Sequence, residues 1–248
     1  MAEIEGRPFD YRGAAGARYL GYLALPERAK GAAVLIAHAA PGLGDHDRAV
    51  ARRLAGLGYV ALAADYHGEG EVIPIAELRP RIDALAGDPA PLREALGAAL
   101  AALAAQPGVD PARIAAIGYC FGGFAALELA RGGADVAAVV GFHSGLPIER
   151  PEEAYAIKGK VLILNGADDP VVPPEKRLAF EAQMNAAGID WQMHLYGGIQ
   201  HSFTMQGVEK FGLPGMAYDR RADDRSWRAM LDFFGETIDP HGGRGSGG

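Results

Sequence analysis

Long apolar runs separated by polar, glycine- and proline-rich breaks dominate the chain. Five of these runs, 32–38, 59–65, 114–119, 136–142 and 160–166, are almost continuously apolar. That is the mark of strands covered on both faces, as in a parallel sheet. Arg18–Pro26 alternates only weakly and stops at proline, which predicts an outer strand. Trp191–Tyr196 predicts the last strand. Between them lie helical stretches at about 45–55, at 75–106 broken around Gly87-Asp88-Pro89, and at 121–130, 174–187 and 222–237. Asp45 is the expected N-cap of the first. Strand and helix alternate throughout, so the expected architecture is a doubly wound, mostly parallel sheet with helices on both faces.

Composition narrows the picture. With 248 residues, 49% of them hydrophobic, and no compositional break, one α/β domain over 1–241 is expected, followed by a flexible glycine-rich tail at 242–248. A net charge of −7 without a basic cluster argues against nucleic acid. A single cysteine excludes an intrachain disulfide and a multi-cysteine metal site. The expectation is a cytoplasmic chain with no leader and no membrane span, acting as a monomer or homodimer.

The candidate chemistry sits at strand ends, where ligands bind in such sheets. Gly118-Tyr119-Cys120-Phe121-Gly122 has the spacing of a nucleophile elbow, with cysteine in the nucleophile position. A tight strand-to-helix turn there would aim the thiol at the sheet edge and set a helix N-terminus behind it, favouring thiolate. The alternative is that Cys120 is a small buried hydrophobe. Asp168-Asp169 follows one strand and His201 follows the next. The order nucleophile, acid, base is that of an α/β-hydrolase. Asp169 is preferred over Asp168 because it lies three residues after Gly166 and three before Val172-Pro173. In this scheme Cys120 attacks a carbonyl, His201 moves the proton and Asp169 orients the imidazole. The backbone N–H groups of Phe121 and Ala40 form the oxyanion hole. His38 and His143 end strands and are read first as packing residues. Asp45-His46-Asp47 is read as a helix cap in preference to a metal site, and no metal or cofactor is expected. His67 and Glu69 lie on a loop at the same edge.

The motifs at 118–123, 166–173 and 201–203 resemble those of the dienelactone hydrolase family, and the similarity runs from about residue 10 to the last helix. The resemblance implies a cofactor-free Cys-His-Asp hydrolase of small-molecule esters or lactones. Two departures stand out. Ala39 occupies the position of a family glutamate that pairs with the cysteine. Thr204-Met205-Gln206 follow His-Ser-Phe where the family places a carboxylate-binding arginine. Arg79 or Arg81 is the candidate for the other arginine. Ala39, His143, Arg81 and Met205 are therefore the substrate-binding candidates, and a broader esterase is expected. The alternatives are a narrow dienelactone hydrolase (carboxymethylenebutenolidase), a non-catalytic small-molecule-binding protein of the same fold, and a transferase that passes the acyl group to an alcohol or amine. The stretch 207–218 is either a partial lid or a packed surface loop.

Overall fold

The computed structural model describes residues 4, 6–13, 16–68, 70 and 72–239. The expected tail at 242–248, the chain start and Glu69 lie outside the described residues. Eight strands form one sheet in the order β1-β2-β4-β3-β5-β6-β7-β8. They are β1 (Gly6–Arg12), β2 (Arg18–Ala24), β3 (Ala33–Ala37), β4 (Val60–Ala64), β5 (Ile114–Tyr119), β6 (Ala138–Phe142), β7 (Lys160–Gly166) and β8 (Trp191–Tyr196). The strands from β3 to β8 are mutually parallel, while β2 runs antiparallel to both β1 and β4.

The helices are α1 (Asp45–Gly56), α2 (Ile75–Gly87), α3 (Ala90–Ala104), α4 (Phe121–Arg131), α5 (Pro174–Ala186) and α6 (Arg220–Thr237). Val50 and Leu54 of α1 join Trp227, Met230 and Phe234 of α6 in one core layer. On the other face α3, α4 and α5 contribute Leu96, Leu127 and Phe180 to a second layer. The five central strands are buried on both faces. This explains why their sequences read as unbroken apolar runs.

Two expectations need correction. The outer strand is β1 and not β2. Its sequence GRPFDYR buries only Tyr11, so hydrophobic patterning gives it no signal. The N-cap of α1 is Gly44 and not Asp45. The Gly44 N–H donates to Asp47 Oδ2 at 2.9 Å, and Asp45 is left exposed beside Arg48.

The chain reverses its direction of sheet building at β3, laying β4 on one side and β5 on the other. The crevice beyond the carboxyl ends of β3 and β5 is thus the switch point where such folds bind ligands. Ala37 pairs with Gly118, so the loop after β3 and the turn after β5 emerge side by side.

Candidate active site

Cys120 joins β5 to α4 with φ 56° and ψ −119°, a strained conformation for a side-chain-bearing residue. The turn can be this tight only because of its flanking glycines. A Cβ on Gly118 would fall on the Gly122 carbonyl, and one on Gly122 would fall on the Ala37 and His38 carbonyls. The turn is tied down by Cys120 N–H donating to Phe142 O at 3.0 Å, and by Gly145 N–H donating to Cys120 O.

His201 Nε2 lies 3.1 Å from Cys120 Sγ, and His201 Nδ1 lies 2.7 Å from Asp169 Oδ2. Asp169 Oδ1 accepts from Val171 N–H at 2.8 Å. Asp169 and His201 are both buried, whereas Asp168 is exposed. His201 is held by its own backbone: its N–H donates to Gly215 O, and its carbonyl accepts from Ala217 N–H. The far end of the 207–218 stretch is therefore a strap paired with the histidine loop, while Phe211 and Leu213 remain exposed.

Burial pushes the Cys120 thiol up, but the facing His201 charge and hydrogen bonds from His201 and from the Phe121 and Ala40 N–H groups outweigh it, so the net direction is down. Burial likewise pushes His201 down. The Cys120 charge and the hydrogen bonds to Asp169 and Cys120 overcome that and raise it well above an ordinary imidazole. Both shifts favour the charged forms, a thiolate facing an imidazolium.

Sγ and the imidazole open onto a cavity of about 760 Å³, a size suited to a small organic molecule. Leu78, Ile82 and Ala86 of α2 form one wall, and Phe121 and Phe124 of α4 form another. Val171 and Met216 complete the apolar lining, with Arg79, Asp83, Glu149, Arg150 and Lys176 among the charged residues. Arg79 pairs with Asp83, and Arg150 with Glu153.

With this geometry in hand, comparison with known proteins is decisive. The dienelactone hydrolase family model matches residues 20–238. The chain belongs to the dienelactone hydrolase family. It is a hydrolase, and its family acts on small molecules. It is 32% identical over 222 residues to a carboxymethylenebutenolidase of Pseudomonas sp. strain P51, covering 84% of this chain and 87% of that one. The solved structure named m3DLH is 46% identical with a TM-score of 0.89, covering 96% of this chain and 100% of that one. A crystal structure of the dienelactone hydrolase-like promiscuous phosphotriesterase P91, from metagenomic libraries, is 43% identical with a TM-score of 0.90, covering 95% and 99%.

In this member of the dienelactone hydrolase family, Cys120, Asp169 and His201 come together, and the backbone N–H groups of Phe121 and Ala40 are among the groups that favour the Cys120 thiolate. The four substrate-binding candidates fall elsewhere, since none lines the cavity. Arg81 points along α2 to pair with Glu77 at 3.2 Å. It is Arg79, near Leu78 and Ile82, that reaches the cavity. His143 is fully buried, with Nε2 2.8 Å from Thr204 Oγ1 and its ring edge against His201. Burial holds it neutral. Met205 follows Ser202, whose φ of 61° turns the chain away; it lines a separate hollow with His46, Arg53 and Trp227. Ala39 is buried and offers its carbonyl, which accepts from Tyr66 OH and lies 2.7 Å from His38 Nδ1.

The α2 wall was missed from sequence, although its Leu78, Ile82, Ala86 spacing of four residues marks one helical face. Lys176 carried no sequence signal, whereas Met216 belongs to the 207–218 stretch offered as a partial lid and does line the cavity. Among the described residues no group of three or more His, Cys, Asp or Glu side chains is placed to hold a metal ion. None of the helices there is long and apolar enough to cross a membrane.

Proposed function

We propose that this protein hydrolyses carboxylic esters or lactones through a thioester on Cys120. The observation that carries the reading is the unbroken chain from Asp169 through His201 to Sγ, at 2.7 and 3.1 Å, at the cavity wall. The thiolate attacks the carbonyl carbon and a C–S bond forms. The carbonyl oxygen takes the negative charge between the Phe121 and Ala40 N–H groups, which already favour the thiolate. The intermediate collapses, and the leaving alkoxide takes the Nε2 proton of His201. Neutral His201 then removes a proton from water, and the hydroxide attacks the thioester. Release of the carboxylic acid restores the thiolate and the imidazolium. Asp169 holds Nδ1 throughout, so that Nε2 faces sulfur.

The lining favours a neutral or apolar acyl group. Arg81 and the 204–206 stretch do not reach the cavity, and of the cations that line it Arg79 is paired with Asp83 and Arg150 with Glu153, which leaves Lys176 as the partner for a substrate carboxylate. A broad esterase is therefore preferred to the narrow dienelactone reading, and the reactive ion pair argues against a purely binding role. A second reading, phosphotriester cleavage, is supported by 43% identity to P91 across nearly the whole chain. There the thiolate would displace an aryloxide from phosphorus, forming a P–S bond.

Stopped-flow release of p-nitrophenol from p-nitrophenyl acetate tests the proposal. Wild type should give a burst near one equivalent followed by turnover, and Cys120→Ala should give neither. Undiminished turnover in a folded Cys120→Ala variant would remove the reading. Paraoxon in the same assay tests the phosphotriester arm, and added alcohol acceptors separate hydrolysis from acyl transfer.

A further inference from the structure

One buried side chain that touches neither sulfur nor cavity is built into the loop after β3. His38 is fully buried at the end of that strand. Its Nδ1 lies 2.7 Å from Ala39 O. Its other nitrogen, Nε2, accepts from the Tyr66 backbone N–H at 3.4 Å. These partners fix the tautomer: the proton is on Nδ1, which donates to the carbonyl, and Nε2 is the acceptor. Burial and the neighbouring His67 hold the imidazole far below its ordinary pKa, at about 3, so the ring stays neutral. Tyr66 stacks on it with ring centroids 3.6 Å apart, and Tyr66 OH donates to His38 O at 2.8 Å.

The accepting carbonyl matters. Ala39 C=O and Ala40 N–H are the two halves of one planar peptide. Ala40 lines the cavity with Cys120, and its N–H is one of the two backbone groups that favour the Cys120 thiolate. A donor on the oxygen of a peptide fixes the plane and polarises it, which strengthens the N–H on the other side.

We infer that His38 is a positioning residue for the oxyanion hole, gripping the carbonyl of the Ala39–Ala40 peptide and so aiming and strengthening the Ala40 N–H. The inference rests on the thioester reading above. It also assigns a role to the buried Tyr66, which locks the imidazole plane. His67 braces the next peptide, with Nε2 3.0 Å from Ala40 O.

Three variants separate positioning from packing. The amide nitrogen of His38→Asn takes the place of Nδ1 and can still reach Ala39 O. His38→Gln carries its amide one carbon further out, and His38→Leu has no donor. Steady-state kinetics on p-nitrophenyl acetate are measured for each, with the pH profile of Cys120 alkylation by iodoacetamide and a thermal melt to establish folding. His38→Gln and His38→Leu should lose roughly 10-fold in kcat with KM within about twofold, a smaller loss than deleting an oxyanion donor outright. Their alkylation profile should move to higher pH, because the same N–H stabilises the thiolate. His38→Asn should stay within about threefold of wild type with an unmoved profile. Wild-type kcat in His38→Gln or His38→Leu overturns the inference. So does an Asn variant as impaired as Leu, which would mean that the site needs only the ring's volume. Cys120→Ala is run beside them. Turnover in that variant sinks the thioester reading itself, whereas a dead Cys120→Ala beside fully active His38 variants sinks only the role of His38.

Discussion

At the scale of single residues, the role proposed for Cys120 depends on its surroundings. An isolated buried thiol is driven toward its neutral form, and burial does push this one that way. Three kinds of partner reverse the sign: the His201 charge, the Nε2 contact at 3.1 Å, and two backbone N–H groups. With no carboxylate at position 39, it is His201 and the backbone that lower the thiol. The consequence is measurable. A thiol with its pKa lowered stays ionised to lower pH than an ordinary thiol, so the pH profile of Cys120 alkylation by iodoacetamide should lie below that of a free cysteine. In His201→Ala the largest stabilising influence is gone, and the alkylation profile should move above pH 8. The same alkylation profile in both proteins would refute the ion pair.

At the scale of elements, the loop from β3 to α1 carries Ala40, half of the proposed oxyanion hole, and α1 anchors that loop through Asp47. Its Oδ2 accepts from Gly44 N–H, while Oδ1 is buried without a hydrogen-bond partner. Burial raises this carboxyl from 3.8 to about 7. A carboxyl whose folded pKa exceeds its unfolded value favours the folded state most below the unfolded pKa, and that contribution is lost as pH rises toward 7. The loss is about 1.4 kcal/mol for each pH unit crossed. Asp47→Asn removes the titration, so the melting temperature of the variant relative to wild type should climb between pH 5 and pH 8. A constant difference across that range would show that Asp47 is not perturbed. A second element at the site is α2, which supplies one wall of the cavity through Leu78, Ile82 and Ala86. It runs between Pro74 and Asp88-Pro89.

At the scale of the whole molecule, the cavity wall at 149–150 is tied to the second core layer by a buried charge network. Glu128 of α4 is fully buried and pairs with Arg93 of α3, with Arg131 at 3.2 Å and with Arg150 at 3.9 Å. Glu153 joins through Arg93, Arg131 and Arg150. Arg131 also donates to the carbonyls of Glu149 and Arg150. Removing one member of a buried network strands the others, at a cost of about 3–5 kcal/mol. Glu128→Ala should show that loss in urea unfolding. A change below about 1 kcal/mol would mean that the guanidinium groups find water or other acceptors.

Hydrophobic patterning alone determined much of this protein. The strands β3 to β7 are legible because burial on both faces demands unbroken apolar runs. The elbow is legible because a turn this tight tolerates no Cβ at 118 or 122. The order Cys120, Asp169, His201 is legible because each follows a strand of one parallel sheet. Patterning could not place what depends on the direction of a side chain leaving a loop or helix. A rotation of one or two positions on α2 separates Arg81, paired with Glu77, from Arg79, which reaches the cavity. The positive φ at Ser202 carries Met205 to a different hollow, and burial turns His143 into a support for Thr204 and His201. The edge strand β1 and the His38 grip on Ala39 came only with the tertiary structure. One is too polar to show a period, and the other is a side-chain contact to the next carbonyl whose setting, with Tyr66 after β4 and Cys120 after β5, exists only once β3, β4 and β5 lie side by side.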